Sequence, residues 1–94
     1  MADLTVTQQP DSSRFEAHLD GELAGFIDYE AAGDVLDLTH TEVFPQFGGQ
    51  GVGAKLVRGA LDQIRQAEQT VIPTCPFIAS YIDKHDDYAD LLAA

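Results

Sequence analysis

The first half of the chain alternates between apolar and polar residues, the pattern that is typical of β-strands with one buried face. Turn-forming residues interrupt this alternation at Pro10–Ser13, Asp20–Gly21 and Gly33–Asp34. The pair Asp20–Gly21 strongly favours a two-residue hairpin turn, because both of its positions must accept a positive φ. The pattern therefore predicts an antiparallel meander of three or four strands within the following segments: Leu4–Gln8, Arg14–Leu19, Leu23–Ala31 and Val35–Val43.

From Gly51 onward the apolar residues recur at intervals of three to five, which is the pattern of an amphipathic helix. This predicted helix ends near Gln69, and its apolar stripe consists of Val52, Leu56, Val57, Ala60, Leu61, Ile64 and Ala67. The β-branched segment Thr70–Pro73 follows and predicts a short strand. Since a helix separates this strand from the preceding one, the two are expected to lie parallel, joined by a right-handed crossover.

A second helix is predicted to begin at Pro76, because proline suits the first helical position, where no backbone N–H is needed. It is expected to end around His85–Asp87, and Tyr88–Leu92 adds a last turn. The residues expected to face inward are Phe77, Ile78, Tyr81 and Ile82. The predicted fold class is therefore α+β: a single domain over residues 1–94 with the order ββββ-α-β-α, a mixed sheet and helices packed on it.

Size and composition limit the classes of protein to which the chain can belong. Its 94 residues suit one small domain, and a hydrophobic content of 45% is too high for a disordered chain. No apolar run approaches the ~20 residues that span a bilayer, and the start at Met1–Leu4 lacks the features of a signal peptide. A single cysteine cannot form an internal disulfide. These features predict a cytoplasmic protein that is a monomer or a small homo-oligomer.

The charge balance narrows the range of partners. Sixteen acidic residues against five basic ones give a formal charge of −11. Such a surface repels polyphosphate chains, so neither nucleic acids nor anionic membranes are expected partners. The acidic residues form either a solvated face that keeps the protein in solution or an adaptation to high salt. Folding and activity in low and in molar salt distinguish these two interpretations.

A glycine-rich segment, Gly48–Lys55, follows a predicted strand and opens the longest predicted helix. Glycines let the backbone approach a phosphate closely, and the free N–H groups and dipole of a helix N-terminus attract it. Lys55 in the first turn would neutralise part of the charge of a pyrophosphate. Two commoner phosphate loops fit poorly, because a P-loop needs Gly-Lys-Ser/Thr and a dinucleotide-binding loop needs glycine in place of Leu56. A purely structural turn is the alternative.

Two further places carry residues with catalytic chemistry. His40 and Glu42 share one face of a predicted strand. Either side chain is a candidate general base. Because the two are neighbours on that face, Glu42 is also a candidate to orient His40. Cys75 lies near the N-terminus of the second predicted helix, a position that lowers the pKa of a thiol and raises its reactivity. Taken alone, His40 and Cys75 are also explained as structural residues of a packed sheet and core. Three histidines and one cysteine lack the spacing of a zinc site, so no metal is expected.

Taken together and in this order, these motifs resemble a minimal family of GCN5-related N-acetyltransferases (GNAT), the short members described as YjdJ-type. The resemblance covers essentially the whole chain and rests on five segments at the expected spacings: His40–Val43, Gly49–Val57, Pro73–Phe77, Tyr81–Ile82 and Tyr88–Leu91. It implies an enzyme that transfers an acetyl group from acetyl-CoA to an unknown amine acceptor. The chain departs from the wider superfamily at Gly48, where Gln or Arg is usual.

The resemblance also implies roles for individual residues. Backbone amides of the glycine-rich segment would hold the pyrophosphate of coenzyme A, and the strand end would pair with its pantetheine arm. The residues expected to bind acetyl-CoA or CoA are Val43, Phe44, Gly48, Gly49, Gln50, Gly51, Val52, Gly53, Ala54 and Lys55. The thioester would enter the splay between the strand that ends at Val43 and the strand at Val71–Pro73, close to Cys75.

Three accounts of function remain open at this point. In the first, the amine attacks acetyl-CoA directly while Glu42 or His40 assists its deprotonation. In the second, Cys75 takes the acetyl group first and then passes it to the amine. In the third, the chain is a non-catalytic acyl-CoA-binding module that acts through a protein partner.

Overall fold

A computed structural model describes residues 3–93 of the chain. Within those residues it contains five strands and two α-helices: β1 Leu4–Gln9, β2 Arg14–Leu19, β3 Glu22–Ala32, β4 Val35–Val43, α1 Val52–Gln66, β5 Thr70–Ile72 and α2 Pro76–Lys84. Short 3-10 helices are present at Pro10–Ser12, Pro45–Phe47 and Asp86–Leu91. None of the helices in this part of the chain is long and apolar enough to cross a membrane.

The strands form one mixed sheet in the order β1-β2-β3-β4-β5. The first four are antiparallel neighbours, and β5 lies parallel to β4, with Leu36 opposite Val71. Between β2 and β3 the turn residues Asp20 and Gly21 have φ angles of 51° and 87°, as a two-residue hairpin requires. The predicted α+β class, with a meander, one parallel strand pair and helices packed on the sheet, is confirmed.

α1 packs across one face of the sheet and forms much of the core. Its buried residues are Val52, Leu56, Val57, Ala60, Leu61 and Ile64. They belong to the same apolar cluster as Phe15 of β2, Ile27 of β3 and Leu38 of β4. The close approach of helix and sheet depends on Gly59, where a Cβ would lie 2.6 Å from Cγ2 of Val6. This packing fixes α1 against the sheet.

The predicted end of α1 is wrong, because the helix ends at Gln66 rather than near Gln69. Glu68 adopts a left-handed conformation with a φ of 60°. Its N–H donates to the carbonyl of Arg65, and the N–H of Gln69 donates to the carbonyl of Ile64. These two bonds form a Schellman motif, which usually has glycine at the left-handed position. Because a glutamate occupies that position, no glycine in the sequence marks the end of the helix.

β4 contains a bulge at Thr39. His40 pairs with Asp28 of β3 and Leu38 pairs with Tyr29, so Thr39 has no partner in β3. An extra residue in one strand reverses the alternation of side chains between the two faces. Without the bulge, His40 would share the core face with Leu38.

After the bulge the alternation of side chains in β4 is therefore reversed relative to the residues before it. Thr41 and Val43 turn toward the face that carries the helices, and both are half-buried. His40 and Glu42 turn to the outer face, where both are exposed. The side chains of Thr41 and Val43 can therefore act together on the helix side of the sheet, and those of His40 and Glu42 on its outer side.

Candidate functional site

The segment between β4 and α1 is a tight loop with two left-handed glycines. The N–H of Gly48 donates to the carbonyl of Pro45 at 3.1 Å, which closes the first turn. Gly49 and Gly51 have φ angles of 80° and 72°, a conformation that other residues rarely adopt. A Cβ at either of these two positions would meet nothing within 4 Å. The backbone conformation thus favours glycine at both positions, and the space beside the loop is open.

The loop leads into the N-terminus of α1, whose first backbone donors are not used by the helix. The first helical hydrogen bond runs from the N–H of Lys55 to the carbonyl of Gly51 at 3.2 Å. The N–H groups of Val52, Gly53 and Ala54 precede this bond and have no helical carbonyl to bind. No side chain among the described residues caps the helix, and its first turn contains no acidic residue. Free donors, the helix dipole and Lys55 together give this end of α1 the properties of an anion site.

All three residues of β5 pair with the start of β4, and beyond them the two chain segments separate. Their pairing ends where Asp37 lies opposite Ile72. One further hydrogen bond crosses between the two segments, from the N–H of Cys75 to the carbonyl of Leu38 at 2.9 Å. Beyond this bond β4 continues to Val43, and no strand described in residues 3–93 pairs with it on that side. The sheet therefore has a wedge-shaped opening.

The open side of β4 presents backbone hydrogen-bonding groups. The N–H of Phe44 donates to the carbonyl of Ala24 at 2.9 Å, so this donor is used within the sheet. Because antiparallel pairing alternates, the N–H and C=O groups of Val43 and Thr41 point away from β3 and into the opening. An extended ligand would bind these groups as an added strand does. Of the two strand-end residues predicted to bind a ligand, only Val43 offers a free backbone donor.

The prediction that Phe77 faces the core is wrong, because its side chain is 48% exposed. Ile78 and Ile82 form the buried side of α2 instead. The ring of Phe77 lies over the start of α1: a Cβ on Gly53 would be 3.0 Å from Cζ of Phe77 and 3.5 Å from Cγ2 of Val43. Phe77 therefore borders the opening between the two helix N-termini and the end of β4.

Cys75 caps the N-terminus of α2 and is buried, with 6% of its surface exposed. Its Sγ lies 3.5 Å from Oγ1 of Thr41 across the wedge. Burial raises the pKa of the thiol, but the Thr41 hydroxyl and the backbone N–H groups of Ile78 and Phe77 favour the thiolate. The net result is a pKa below the ordinary value of a cysteine. The predicted position of Cys75 at a helix N-terminus is confirmed.

His40 and Glu42 form a pair on the outer face, with Nε2 of His40 3.4 Å from Oε1 of Glu42. Both side chains are about half exposed. The structure thus brings these two candidates together but separates them from Cys75, which lies on the helix side of β4. Thr41, the residue between them, was not identified from the sequence. Its contact with Cys75 depends on the bulge at Thr39, for which the sequence has no signal.

Replacing Thr41 by valine is expected to raise the pKa of Cys75, because the hydroxyl that favours the thiolate is lost while the volume is conserved. The measurement is the rate of Cys75 alkylation by iodoacetamide as a function of pH, with the midpoint moving to higher pH in Thr41→Val. Thr39→Val is the matched control, since the Thr39 hydroxyl donates to the carbonyl of Asp28 instead. Equal midpoints in the wild type and Thr41→Val would contradict this role of Thr41.

Comparison with known proteins places this architecture among the acetyltransferases. A family model described as GCN5-related N-acetyl-transferase matches residues 14–91, which is most of the chain. The chain therefore belongs to the GCN5-related N-acetyltransferase family, and the resemblance of its motifs to that family as a whole is confirmed. No curated protein matches the chain.

Solved structures share the fold. A GCN5-like protein from Staphylococcus aureus matches with a TM-score of 0.72 and 26% identity, over 100% of this chain and 92% of that one. A GNAT family acetyltransferase from Brucella melitensis, solved in complex with acetyl-CoA, matches with a TM-score of 0.54 and 25% identity. That match covers 72% of this chain and 50% of the Brucella chain. The ribosomal-protein-S18-alanine N-acetyltransferase from Escherichia coli matches with a TM-score of 0.63 and 14% identity, over 89% of this chain and 75% of that one. At this identity the match shows a similarity of fold alone.

Proposed function

We propose that the chain transfers an acetyl group from acetyl-CoA to an amine. The observation that carries this proposal is the open side of β4, which begins beyond the Cys75–Leu38 hydrogen bond and leads to the glycine loop. The wedge, the backbone groups of Val43 and Thr41 and the anion site at the start of α1 follow one another along the chain from β4 to α1. Membership of the GCN5-related family and the acetyl-CoA complex of the Brucella relative support the same ligand.

The residues along this path fit the parts of acetyl-CoA in order. The loop and the first turn of α1, from Gly49 to Lys55, would hold the pyrophosphate through backbone N–H groups and one ammonium. The amide groups of the pantetheine arm match the free N–H and C=O groups of Val43 and the C=O of Thr41. The thioester then reaches the point where β4 and β5 separate, beside Cys75. This match of donors to ligand groups favours acetyl-CoA over a simple phosphate.

The chemistry follows from how the residues of β4 are divided between the two faces. Acetyl-CoA supplies an acetyl group activated as a thioester, whose carbonyl carbon bonds to the amine nitrogen as the C–S bond breaks and the sulfur leaves with its electron pair. The N–H of Thr41 on the open side would polarise the carbonyl oxygen. Glu42, or His40 beside it, would take the proton from the amine on the outer face, directly or through a water.

Direct transfer is favoured over a route through an acetylated Cys75. The lowered pKa of Cys75 would suit a nucleophile. Against it, the bases His40 and Glu42 lie on the other face of β4, and the thiol is buried. The partner that the structure gives the thiol is the hydroxyl of Thr41 and not a base, so the attack of Cys75 on the thioester has no general base beside it. In the direct route Cys75 lines the cleft without forming a bond.

Glu42→Gln is expected to lower kcat by about 100-fold or more, the usual contribution of a general base, and to leave acetyl-CoA affinity unchanged. The measurement is the rate of thiol release from acetyl-CoA with a panel of amines that includes cationic small molecules, lysine peptides and peptide N-termini. Glu30→Gln is the matched control, because Glu30 is another exposed glutamate of the sheet and lies in β3 opposite Asp37, where β4 is still paired with β5. A Glu42→Gln variant with wild-type kcat would overturn the role of Glu42.

The same assay decides between the remaining alternatives. Cys75→Ala is expected to retain most of its turnover, and mass spectrometry of the wild type is expected to show no acetyl-cysteine. An acetylated Cys75 that disappears when amine is added would establish the two-step route instead. Tight binding of acetyl-CoA without turnover on any amine would indicate the non-catalytic binding module.

A further inference from the structure

The outer face of the sheet carries the candidate bases His40 and Glu42 and one basic side chain that the proposed function does not use. Five lysines and arginines occur in the chain. Within residues 3–93, four of them belong to α1 and α2, which pack on the opposite face, and only Arg14 belongs to a strand. Arg14 precedes the buried Phe15 in β2, so its side chain projects from the outer face. This guanidinium therefore lies on the face where an amine would react.

Arg14 approaches Glu42 across the ring of Phe26. Phe26 in β3 lies directly opposite Glu42 in β4. Side chains in that relation have Cβ atoms about 5 Å apart. Cζ of Arg14 lies over the ring of Phe26, 3.9 Å from its centroid, and a guanidinium is attracted to an aromatic face. This contact holds the charge of Arg14 above the immediate neighbour of the candidate base.

The hydrogen bonds of Arg14 leave part of its guanidinium free for a ligand. Its Nε and Nη2 each lie 3.3 Å from the same oxygen, Oδ1 of Asp28. A guanidinium has five N–H donors in a planar fork, and no hydrogen bond within residues 3–93 uses Nη1 of Arg14. The side chain is 29% exposed, so solvent reaches it. Asp28 and Phe26 thus orient the guanidinium without using all of its donors.

The spacing of the strands limits the length of an acceptor that reaches from Arg14 to the thioester. Adjacent strands lie about 4.8 Å apart, so a ligand bound along the open side of β4 lies about 10 Å from β3 and the guanidinium above it. The hydrogen bond to Arg14 and the approach of the amine to the thioester carbon occupy about 3 Å each. About 4 Å then remains between the anionic group and the reacting nitrogen, the span of one or two carbon atoms.

The charge of the chain decides which anionic group fits. A guanidinium binds carboxylates and phosphates alike. A chain of charge −11 repels ligands that are negative overall, but an amino acid carries one positive and one negative charge and is not repelled. A carboxylate on the same small molecule as the amine therefore fits this face better than a phosphate does.

We propose that Arg14 binds the carboxylate of the acceptor, and that the acceptor is a short amino acid whose amine is one or two carbons from that carboxylate. The inference rests on the proposed function, which places the reacting amine beside Glu42. Arg14 forms no covalent bond and moves no proton. It determines which amine is held at the wedge, while Glu42 takes the proton as the nitrogen bonds to the acetyl carbon.

The test compares amino acids with their amides, which lack only the carboxylate charge. Thiol release from acetyl-CoA is measured at saturating acetyl-CoA with glycine, alanine and β-alanine and with the three corresponding amides. The wild type is expected to have a kcat/KM at least about tenfold higher for the amino acids, as one charge-assisted hydrogen bond implies. Arg14→Gln should remove this preference by lowering kcat/KM for the amino acids alone. Arg14→Lys, which keeps the charge without the planar fork, should restore part of it.

Arg58→Gln is the matched control, because it removes the same charge from an exposed position of α1, on the other side of the sheet. It is expected to keep the preference for the free carboxylate. Urea unfolding of each variant verifies that the protein is folded under the conditions of the assay.

The outcomes separate this inference from the proposed function. Equal kcat/KM of the wild type for amino acids and amides would overturn the carboxylate site and leave acetyl transfer intact. The same conclusion follows if Arg14→Gln lowers kcat/KM equally for both, since Arg14 then supports only the fold or the base. Failure of the wild type to acetylate any amine, these included, would overturn the proposed function, and the inference with it.

Discussion

Gly25→Ala is expected to destabilise the fold by about 2–3 kcal/mol, the cost of serious overpacking, and to weaken acetyl-CoA binding. Gly25 lies in β3 opposite Val43 of β4. A Cβ there would sit 2.5 Å from the carbonyl oxygen of Glu42 and 3.2 Å from Cα of Val43. Both are backbone atoms, so no change of rotamer relieves the overlap and the two strands must move apart. Because Val43 carries the free groups of the open side, this movement displaces the proposed ligand edge.

Urea unfolding measures the first effect and calorimetric titration with acetyl-CoA measures the second. Gly53→Ala is a useful control for stability, because its Cβ would meet the ring end of Phe77 at 3.0 Å. That ring is half exposed and able to turn aside, while alanine in a helix is favoured over glycine by about 1 kcal/mol. We therefore expect Gly53→Ala to be neutral or slightly stabilising. Wild-type stability of Gly25→Ala would show that β3 and β4 do not depend on this close approach.

Gly51→Glu is expected to lower the affinity for acetyl-CoA by at least about 100-fold, because several charge-assisted hydrogen bonds of about 1.5–3 kcal/mol each are disturbed. The variant forces a side chain into a left-handed residue with a φ of 72° immediately before α1. It also places a carboxylate at the helix N-terminus, where it competes with the pyrophosphate for the free N–H groups. Titration of the purified variant with acetyl-CoA measures the loss.

Gly33→Glu provides a matched control for this substitution. Gly33 has a φ of 62° in the turn between β3 and β4, and its Cβ, like that of Gly51, would meet nothing within 4 Å. The two variants thus share the backbone strain and the added charge and differ in their place relative to the loop. We expect Gly33→Glu to retain wild-type affinity at comparable stability. Equal losses of affinity in both variants would mean that strain or charge, and not the loop, explains the effect.

Local patterns predicted the elements and their order. The turn at Asp20–Gly21 marks the first hairpin because two adjacent residues there accept a positive φ. The apolar stripe of α1 identifies the helix because the same residues pack on the sheet. Each of these signals resides in residues that are close along the chain, so one sequence is enough to recognise it.

Features that depend on the packing of distant segments were not predicted. The bulge at Thr39 sets Thr41 against Cys75 and turns His40 to the other face, yet no residue type marks it. Phe77 has the spacing of a core residue, but the start of α1 lies beneath it, so its ring stays half exposed.

The most direct test of the central claim is an amide ¹H–¹⁵N NMR titration of the protein with acetyl-CoA. We expect saturable shifts at the amides of the loop and the first turn of α1, from Gly49 to Lys55, together with those of Thr41 and Val43. Amides of β1, on the far side of the sheet from the wedge, should stay unchanged. Saturable binding that shifts other amides and spares the loop and the open side of β4, or no shifts at millimolar acetyl-CoA, would contradict the account.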